Sequence, residues 1–289
     1  MIFSFNAYVE AFPESDHLLV VGHPIAHSLS PAMHSAAIAH HGLPLAYHAL
    51  DLHPAQIASF LPLLNRDGLK GCNITIPHKQ TMAEVVDELD DVAAELGVIN
   101  TIVKDETTGK LVGYNTDVAG FLAPLRDLAD ELAGERAIVF GTGGAARAVV
   151  AGLRQLGAEH IVLVSRQPQT VILHEKSDLH VDIVDYSQWA AYADECALIV
   201  NTTPLGMAPN TDQSPVETRE AHVLEDKIVY DLVYNPLETS LLRLAREHDA
   251  VPISGLEMLI HQGSRSFELW TGHSFPVNKV RSTLLKELS

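Results

Sequence analysis

Gly141 and Gly143 stand where the apolar run from Ala137 to Phe140 stops and a helical pattern begins, and Ala146 completes the spacing G-x-G-x-x-A. Such a strand–turn–helix suits the pyrophosphate of a dinucleotide. Gly141 permits a tight turn, Gly143 lets backbone approach the phosphates, and Ala146 keeps helix and strand close. Thr142, Gly144 and Ala145 complete the turn, and the helix start offers unpaired N–H groups to an anion. The next strand pattern ends in Ser165-Arg166-Gln167. A carboxylate at that point would accept from a ribose hydroxyl, whereas an arginine accommodates a 2′-phosphate. Arg166 therefore favours NADP over NAD.

A second group of polar residues lies earlier in the chain. Ser30 followed by Pro31 fits a helix start, with Ser30 as the N-cap and Pro31 in the first turn. Ser28 is not needed for that role. Two hydroxyls beside a helix N-terminus can instead hold a carboxylate with neutral donors. Asn73, Thr75 and Pro77 share one side of an extended segment opposite Ile74 and Ile76, and Lys79 follows where that strand should end. The stretch Tyr114-Asn115-Thr116-Asp117 supplies a carboxylate able to pair with Lys79.

Other candidates are weaker. His23 and His27 have an i, i+4 spacing, but Pro24 between them opposes a helix, and no metal is expected there. Cys72 reads as a small buried side chain, and two cysteines cannot build a disulfide framework. Asp87, Glu88, Asp90 and Asp91 are expected on the solvated face of a helix.

Strand-length apolar runs alternate with helical patterns, as in an α/β protein with a parallel sheet. Expected strands are 18–22, 45–50, 69–76, 98–103, 136–141, 160–165, 181–185, 197–201 and 228–232, with helices such as 31–41, 84–96 and 145–156. Residues 208–220 read as a surface loop. A boundary near Asp117 leaves one α/β domain before it and a dinucleotide-binding domain after it.

Composition narrows the partners. The 289 residues are 47% apolar and 19% charged, with a net charge of −18, which opposes binding to nucleic acid. Residues 1–16 carry no lysine or arginine and do not read as a secretory signal. No apolar stretch reaches the ~20 residues of a membrane span. A cytoplasmic protein is expected, and an acidic one must hold anionic ligands with local donors.

Read together, these motifs resemble the shikimate dehydrogenase family. They are S-L-S-P from Ser28, N-I-T-I-P-H-K from Asn73, I-N-T from Ile99, N-T-D from Asn115, and G-T-G-G-A from Gly141. The order continues with N-T-T-P-L-G-M from Asn201, Y-D-L-V-Y-N-P from Tyr230, G-L-E-M-L-I-H-Q-G from Gly255 and W-T-G from Trp270, so the resemblance spans residues 19–272. It implies an α/β fold of two domains. The substrate domain would be 1–117 plus 256–289, because the last helices pack back on it, and a Rossmann-like NADP-binding domain would be 118–255. The implied activity is reversible NADP-dependent reduction of 3-dehydroshikimate to shikimate, a step of aromatic amino-acid and chorismate biosynthesis.

The resemblance also implies roles. Ser28 and Ser30 would bind the substrate carboxylate, and Thr75, Asn100, Asp117 and Gln262 the ring hydroxyls, with Tyr234 nearby. Lys79 and Asp117 would be the catalytic pair. Gly141, Thr142, Gly143, Gly144, Ala145, Ser165, Arg166, Thr203, Leu232 and Gly255 would line the cofactor. Ser165-Arg166-Gln167 keeps the arginine of the family's usual N-R-T but changes both neighbours, and Val98-Ile99-Asn100 replaces Ala-Val-Asn. A quinate-using enzyme with relaxed cofactor choice is the alternative, followed by an inactive ligand-sensing relative. A homodimer is left open.

Overall fold

The computed structural model describes residues 1–13, 15–170 and 179–289. Their contacts divide the chain into two compact units, one of residues 1–116 with 260–287 and 289, the other of residues 117–259 with 288.

The first unit is built on strands β1 (Ile2–Ser4), β2 (His17–Gly22), β3 (Ala46–Asp51), β4 (Leu69–Ile74), β5 (Glu88–Leu89), β6 (Thr101–Lys104) and β7 (Leu111–Tyr114). They form one sheet in the order β1-β3-β2-β4-β6-β7-β5. The first four pair in parallel, but β6 is antiparallel to both β4 and β7, so this sheet is mixed rather than wholly parallel. Every residue of β2 is buried, as expected of a central strand with both faces covered. Leu19, Val21, Leu50, Phe60, Cys72, Ile74 and Ile102 belong to one core. The helix Val277–Glu287 packs against the helix Ser30–His41.

The expected helix over 84–96 is not formed. Glu88–Leu89 pairs with β7, and Asp87 accepts from Leu111 N at 2.8 Å. Asp90 accepts from Ala93 N at 2.8 Å and starts the shorter helix Asp91–Leu96. Asp90 therefore takes the Ala93 N–H that a continuous helix would have used itself, a competition typical of aspartate, while Asp87 reaches across to β7. The expected strand over 98–103 begins only at Thr101. The short strands β1, β5 and β7 carry no sequence signal long enough to mark them.

The second unit carries β8 (Arg136–Phe140), β9 (His160–Val164), β10 (His180–Val184), β11 (Cys196–Asn201), β12 (Ile228–Asp231) and β13 (Val251–Ser254). All pair in parallel in the order β10-β9-β8-β11-β12-β13. In chain order this is 3-2-1-4-5-6, the doubly wound dinucleotide-binding arrangement. The strands alternate between two cores. Ile138, Phe140, Val162 and Ile199 pack on one side with Trp189, while Ala137, Val139, Leu163 and Leu198 pack on the other with Phe121, Val149 and Leu153. The crevice where strand order reverses lies between β8 and β11, at their carboxyl ends.

Candidate active site

In the first unit the polar side chains gather at the carboxyl ends of β2 and β4 and along the helix Gly255–Thr271. Ser30 is the first residue of its helix, not its cap. The N-cap position is Leu29, and Ser28 Oγ accepts from Ser30 N at 3.3 Å. The Ser30 side chain lies near the Tyr47 hydroxyl, which donates to Asn73 Oδ1 at 2.6 Å. Thus Ser28, not Ser30, makes the local turn bond, and Ser30 lies buried beside the Tyr47–Asn73 pair.

Asn73 is the centre of a buried polar network. Its amide faces Asn100 O at 3.2 Å, Thr101 Oγ1 at 3.1 Å and Ser266 Oγ at 3.1 Å. Asn100 in turn donates to Thr116 Oγ1 at 2.9 Å and Gln262 Oε1 at 3.3 Å, and its Oδ1 accepts from Thr116 N at 2.8 Å. These bonds fix the Asn100 and Gln262 side chains in place, and such satisfied buried networks rigidify a site. Trp270 Nε1 donates to Ile102 O at 2.9 Å, and only a glycine at Gly71 leaves room, because a Cβ there would lie 2.5 Å from that indole nitrogen.

Lys79 is half-buried at the start of the helix Lys79–Ala83, and its carbonyl accepts from Ile99 N at 3.1 Å. That bond sets Lys79 beside the backbone of Asn100. Thr75, one residue past β4, packs its methyl so close to Gly22 that a Cβ on Gly22 would lie 2.4 Å from it. Ile76 next to it is 72% exposed, so the alternation expected past Ile74 gives way to a turn. His78 is buried and bonds Leu52 O at 2.7 Å, and burial lowers its pKa. His23 Nδ1 pairs with Asp51 Oδ1 at 2.7 Å.

Asp117, buried, opens the helix Asp117–Leu122 in the second unit. In that unit the turn after β8 has the geometry a pyrophosphate needs. Gly141 has φ of +105°, and a Cβ there would lie 2.5 Å from Thr202 Oγ1. A Cβ at Gly143 would meet nothing within 4 Å, and Gly143 heads the 12-residue helix Gly144–Gln155 with no side chain capping its N–H groups. Open space, bare N–H groups and the helix dipole meet at one point. Thr142 and Ala145 flank it.

The neighbouring strand ends complete the frame. Ser165 Oγ accepts from Gln167 N at 3.1 Å, and Arg166 is exposed just past β9. Thr203 donates through its hydroxyl to Asn201 Oδ1 at 2.6 Å, and Asn201 donates to Asp231 Oδ1 at 2.9 Å. Asp231 also accepts from Thr239 at 2.6 Å, and burial pushes its pKa up to about 6. Gly255 presses on the backbone of Leu232, where a Cβ would lie 2.2 Å from Leu232 O. Tyr234 is half-buried past β12, and burial raises its pKa. These residues fit a dinucleotide.

Comparison with known proteins agrees with this frame. Residues 20–102 match the shikimate dehydrogenase substrate binding domain, and residues 255–285 match the shikimate 5′-dehydrogenase C-terminal domain. The NADP(+)-dependent shikimate dehydrogenase of Symbiobacterium thermophilum is 40% identical over 280 residues, covering 93% of each chain. The chain belongs to the shikimate dehydrogenase family. A solved shikimate 5-dehydrogenase of Thermus thermophilus, in complex with NADP(H) and shikimate, is 34% identical with a TM-score of 0.82, covering 94% of this chain and 99% of that one. Quinate dehydrogenase of Corynebacterium glutamicum, in complex with NAD, is 30% identical with a TM-score of 0.84, covering 95% and 100%.

Within this shikimate dehydrogenase frame, sequence reasoning missed the supporting layer: Tyr47, Thr101, Thr116 and Ser266 in one unit, Asn201, Asp231 and Thr239 in the other. A signal for part of it was present. Asn-Thr steps occur at Asn100, Asn115, Asn201 and Asn210; the first three Asn are buried and hydrogen-bonded through their side chains, whereas Asn210 is exposed.

Proposed function

We propose that this protein catalyses the reversible reduction of 3-dehydroshikimate by NADPH, taking up one proton and giving shikimate and NADP⁺. The observation that carries this reading is the family match over nearly the whole chain, to relatives whose names specify that acid and that cofactor. The local chemistry supports it, because hydroxyl and amide groups around Asn73 and Asn100 suit a polyhydroxylated carboxylate in a chain of net charge −18.

In this reading Ser28 and Ser30 bind the carboxylate. Thr75, Asn100, Asp117, Tyr234 and Gln262 hold and orient the ring hydroxyls. The nicotinamide, when bound, supplies or accepts the hydride. Lys79 gives a proton to the carbonyl oxygen during reduction and takes it back from the hydroxyl during oxidation, while Asp117 orients Lys79 and accepts from a substrate hydroxyl. Gly141, Thr142, Gly143, Gly144 and Ala145 receive the pyrophosphate; Ser165 and Arg166 face the 2′-phosphate; Thr203, Leu232 and Gly255 shape the remaining wall. The substrate domain comprises 1–117 plus 256–289 and the cofactor domain 118–255. We place the protein in the cytoplasm.

A second reading, quinate oxidation with NAD, is favoured by the likeness to the Corynebacterium enzyme. The direct test mixes the protein with 3-dehydroshikimate and NADPH and measures shikimate formed against NADPH consumed. One-to-one conversion is expected. No conversion with a folded protein would remove the proposed activity.

A further inference from the structure

At the end of the six-stranded sheet opposite the glycine turn, two imidazoles and a carboxylate converge outside the proposed site. β9 and β10 run parallel with His160 directly opposite His180, and Asp182 lies two residues further along β10. The two-residue period of a strand puts all three on one face. His160 Nε2 lies 3.1 Å from Asp182 Oδ2, and His180 Nε2 lies 3.6 Å from Asp182 Oδ1. The rings of His160 and His180 have centroids 4.5 Å apart, tilted by 55°. One ligand atom from each residue falls within 4.8 Å of the others.

These separations are close enough for small side-chain adjustments to bring one atom of each residue into a coordination shell. Tetrahedral zinc holds nitrogen and oxygen ligands at roughly 2.0–2.2 Å, which sets its ligand atoms about 3.3–3.6 Å apart. His160 approaches Asp182 Oδ2 and His180 approaches Oδ1, so one carboxylate faces both imidazoles. Two imidazoles and one carboxylate are a set that suits zinc, nickel or copper, whereas calcium takes six to eight oxygens. The same face carries Arg136, the β8 partner of His160, whose guanidinium contacts Glu195 and lies 4.0 Å from Glu159. Its positive charge is thus balanced by two carboxylates. His180 is 68% exposed on an edge strand, so an ion can enter and a remaining coordination position can hold water.

We propose that His160, His180 and Asp182 form a binding site for a divalent transition metal of the zinc class, which clamps the edge strand β10 to β9. The site lies at the opposite end of β9 from Ser165 and Arg166. Its role is to stabilise the second unit, since an ion bound only by the folded state raises folding stability by mass action.

The test titrates Zn²⁺ into the chelator-treated full chain by calorimetry, alongside His180→Ala and Asp182→Asn. Both variants change partly or largely exposed side chains on the edge strand, and thermal melts without metal check their folds. Wild type is expected to bind one Zn²⁺ and to melt higher with it. Each variant should weaken that event at least tenfold and lose the melting shift. Co²⁺ in place of Zn²⁺ should give wild type a visible absorption band that neither variant shows. The chain has 16 histidines, so binding elsewhere is a real contrary outcome. Full affinity in either variant, or no binding by wild type, overturns the proposal.

Discussion

The Tyr47 hydroxyl donates to Asn73 Oδ1 across 2.6 Å, both residues being buried. This bond joins β3 to β4 across the intervening strand β2, with Ser30 close to the Tyr47 hydroxyl. Tyr47→Phe would leave the Asn73 acceptor without its donor, at a cost of about 1–3 kcal/mol. It should also raise KM for shikimate more than it lowers kcat, because Ser30 loses the Tyr47 hydroxyl beside it. Urea unfolding and initial rates check both effects. Wild-type stability in the variant would show that the bond contributes nothing.

His34 gives the protein an acid-sensitive core. It stacks on Tyr47 at 4.4 Å, is wholly buried, and neither ring nitrogen has a hydrogen-bond partner among the described residues. Burial pulls its pKa down to about 3, with nearby Asn73 opposing the shift. In the unfolded chain a histidine titrates near ~6.5. Between those values the unfolded state binds a proton that the folded state refuses. The stability contributed by neutral His34 is therefore complete above ~6.5 and shrinks as pH falls toward the folded value, by up to about 1.4 kcal/mol per pH unit. His17, His48 and His78, lowered chiefly by burial, act in the same direction. Asp231, raised to about 6, acts the other way and is most costly above that pH. Urea melts between pH ~4.5 and ~7 should show a flatter profile for His34→Phe than for wild type. Identical slopes would contradict the assignment.

Lys79→Met should lower kcat by roughly 10²–10⁴, the usual worth of a positioned acid–base group. KM for shikimate should change far less, because the serines and the Asn100–Gln262 pair remain. Steady-state rates with saturating NADP⁺ decide this, and near-normal turnover would remove Lys79 from the mechanism.

Arg166→Ala tests the cofactor assignment. A hydrogen bond to a charged group is worth about 1.5–3 kcal/mol, so KM for NADP⁺ should rise roughly ten- to a hundredfold. NAD⁺, which lacks the 2′-phosphate, should be used as before. Equal loss with both cofactors would place Arg166 in a structural role.

Much of the frame was legible because strong local signals agreed with tertiary need. The run from Ala137 to Phe140 into Gly141 is buried strand and tight turn, and the glycine at 141 is required by its φ of +105° and by Thr202. The acidic stretch from Asp87 to Asp91 misled because its pattern is helical while its carboxylates serve the backbone of β7 and a short helix. Ser-Pro favours Ser30 as the cap, yet the helix starts one residue earlier and Ser30 lies buried near Tyr47, 17 residues on, beyond any local rule. Ser266 joining Asn73 across 193 residues is equally invisible without the fold.

The central claim is that this chain oxidises shikimate with NADP⁺. Its most direct test measures kcat/KM for shikimate and quinate, each with NADP⁺ and NAD⁺, by following absorbance of the reduced nicotinamide. The account predicts that shikimate with NADP⁺ exceeds the other three combinations. A higher value for quinate with NAD⁺, or no reduction with any of the four, would contradict it.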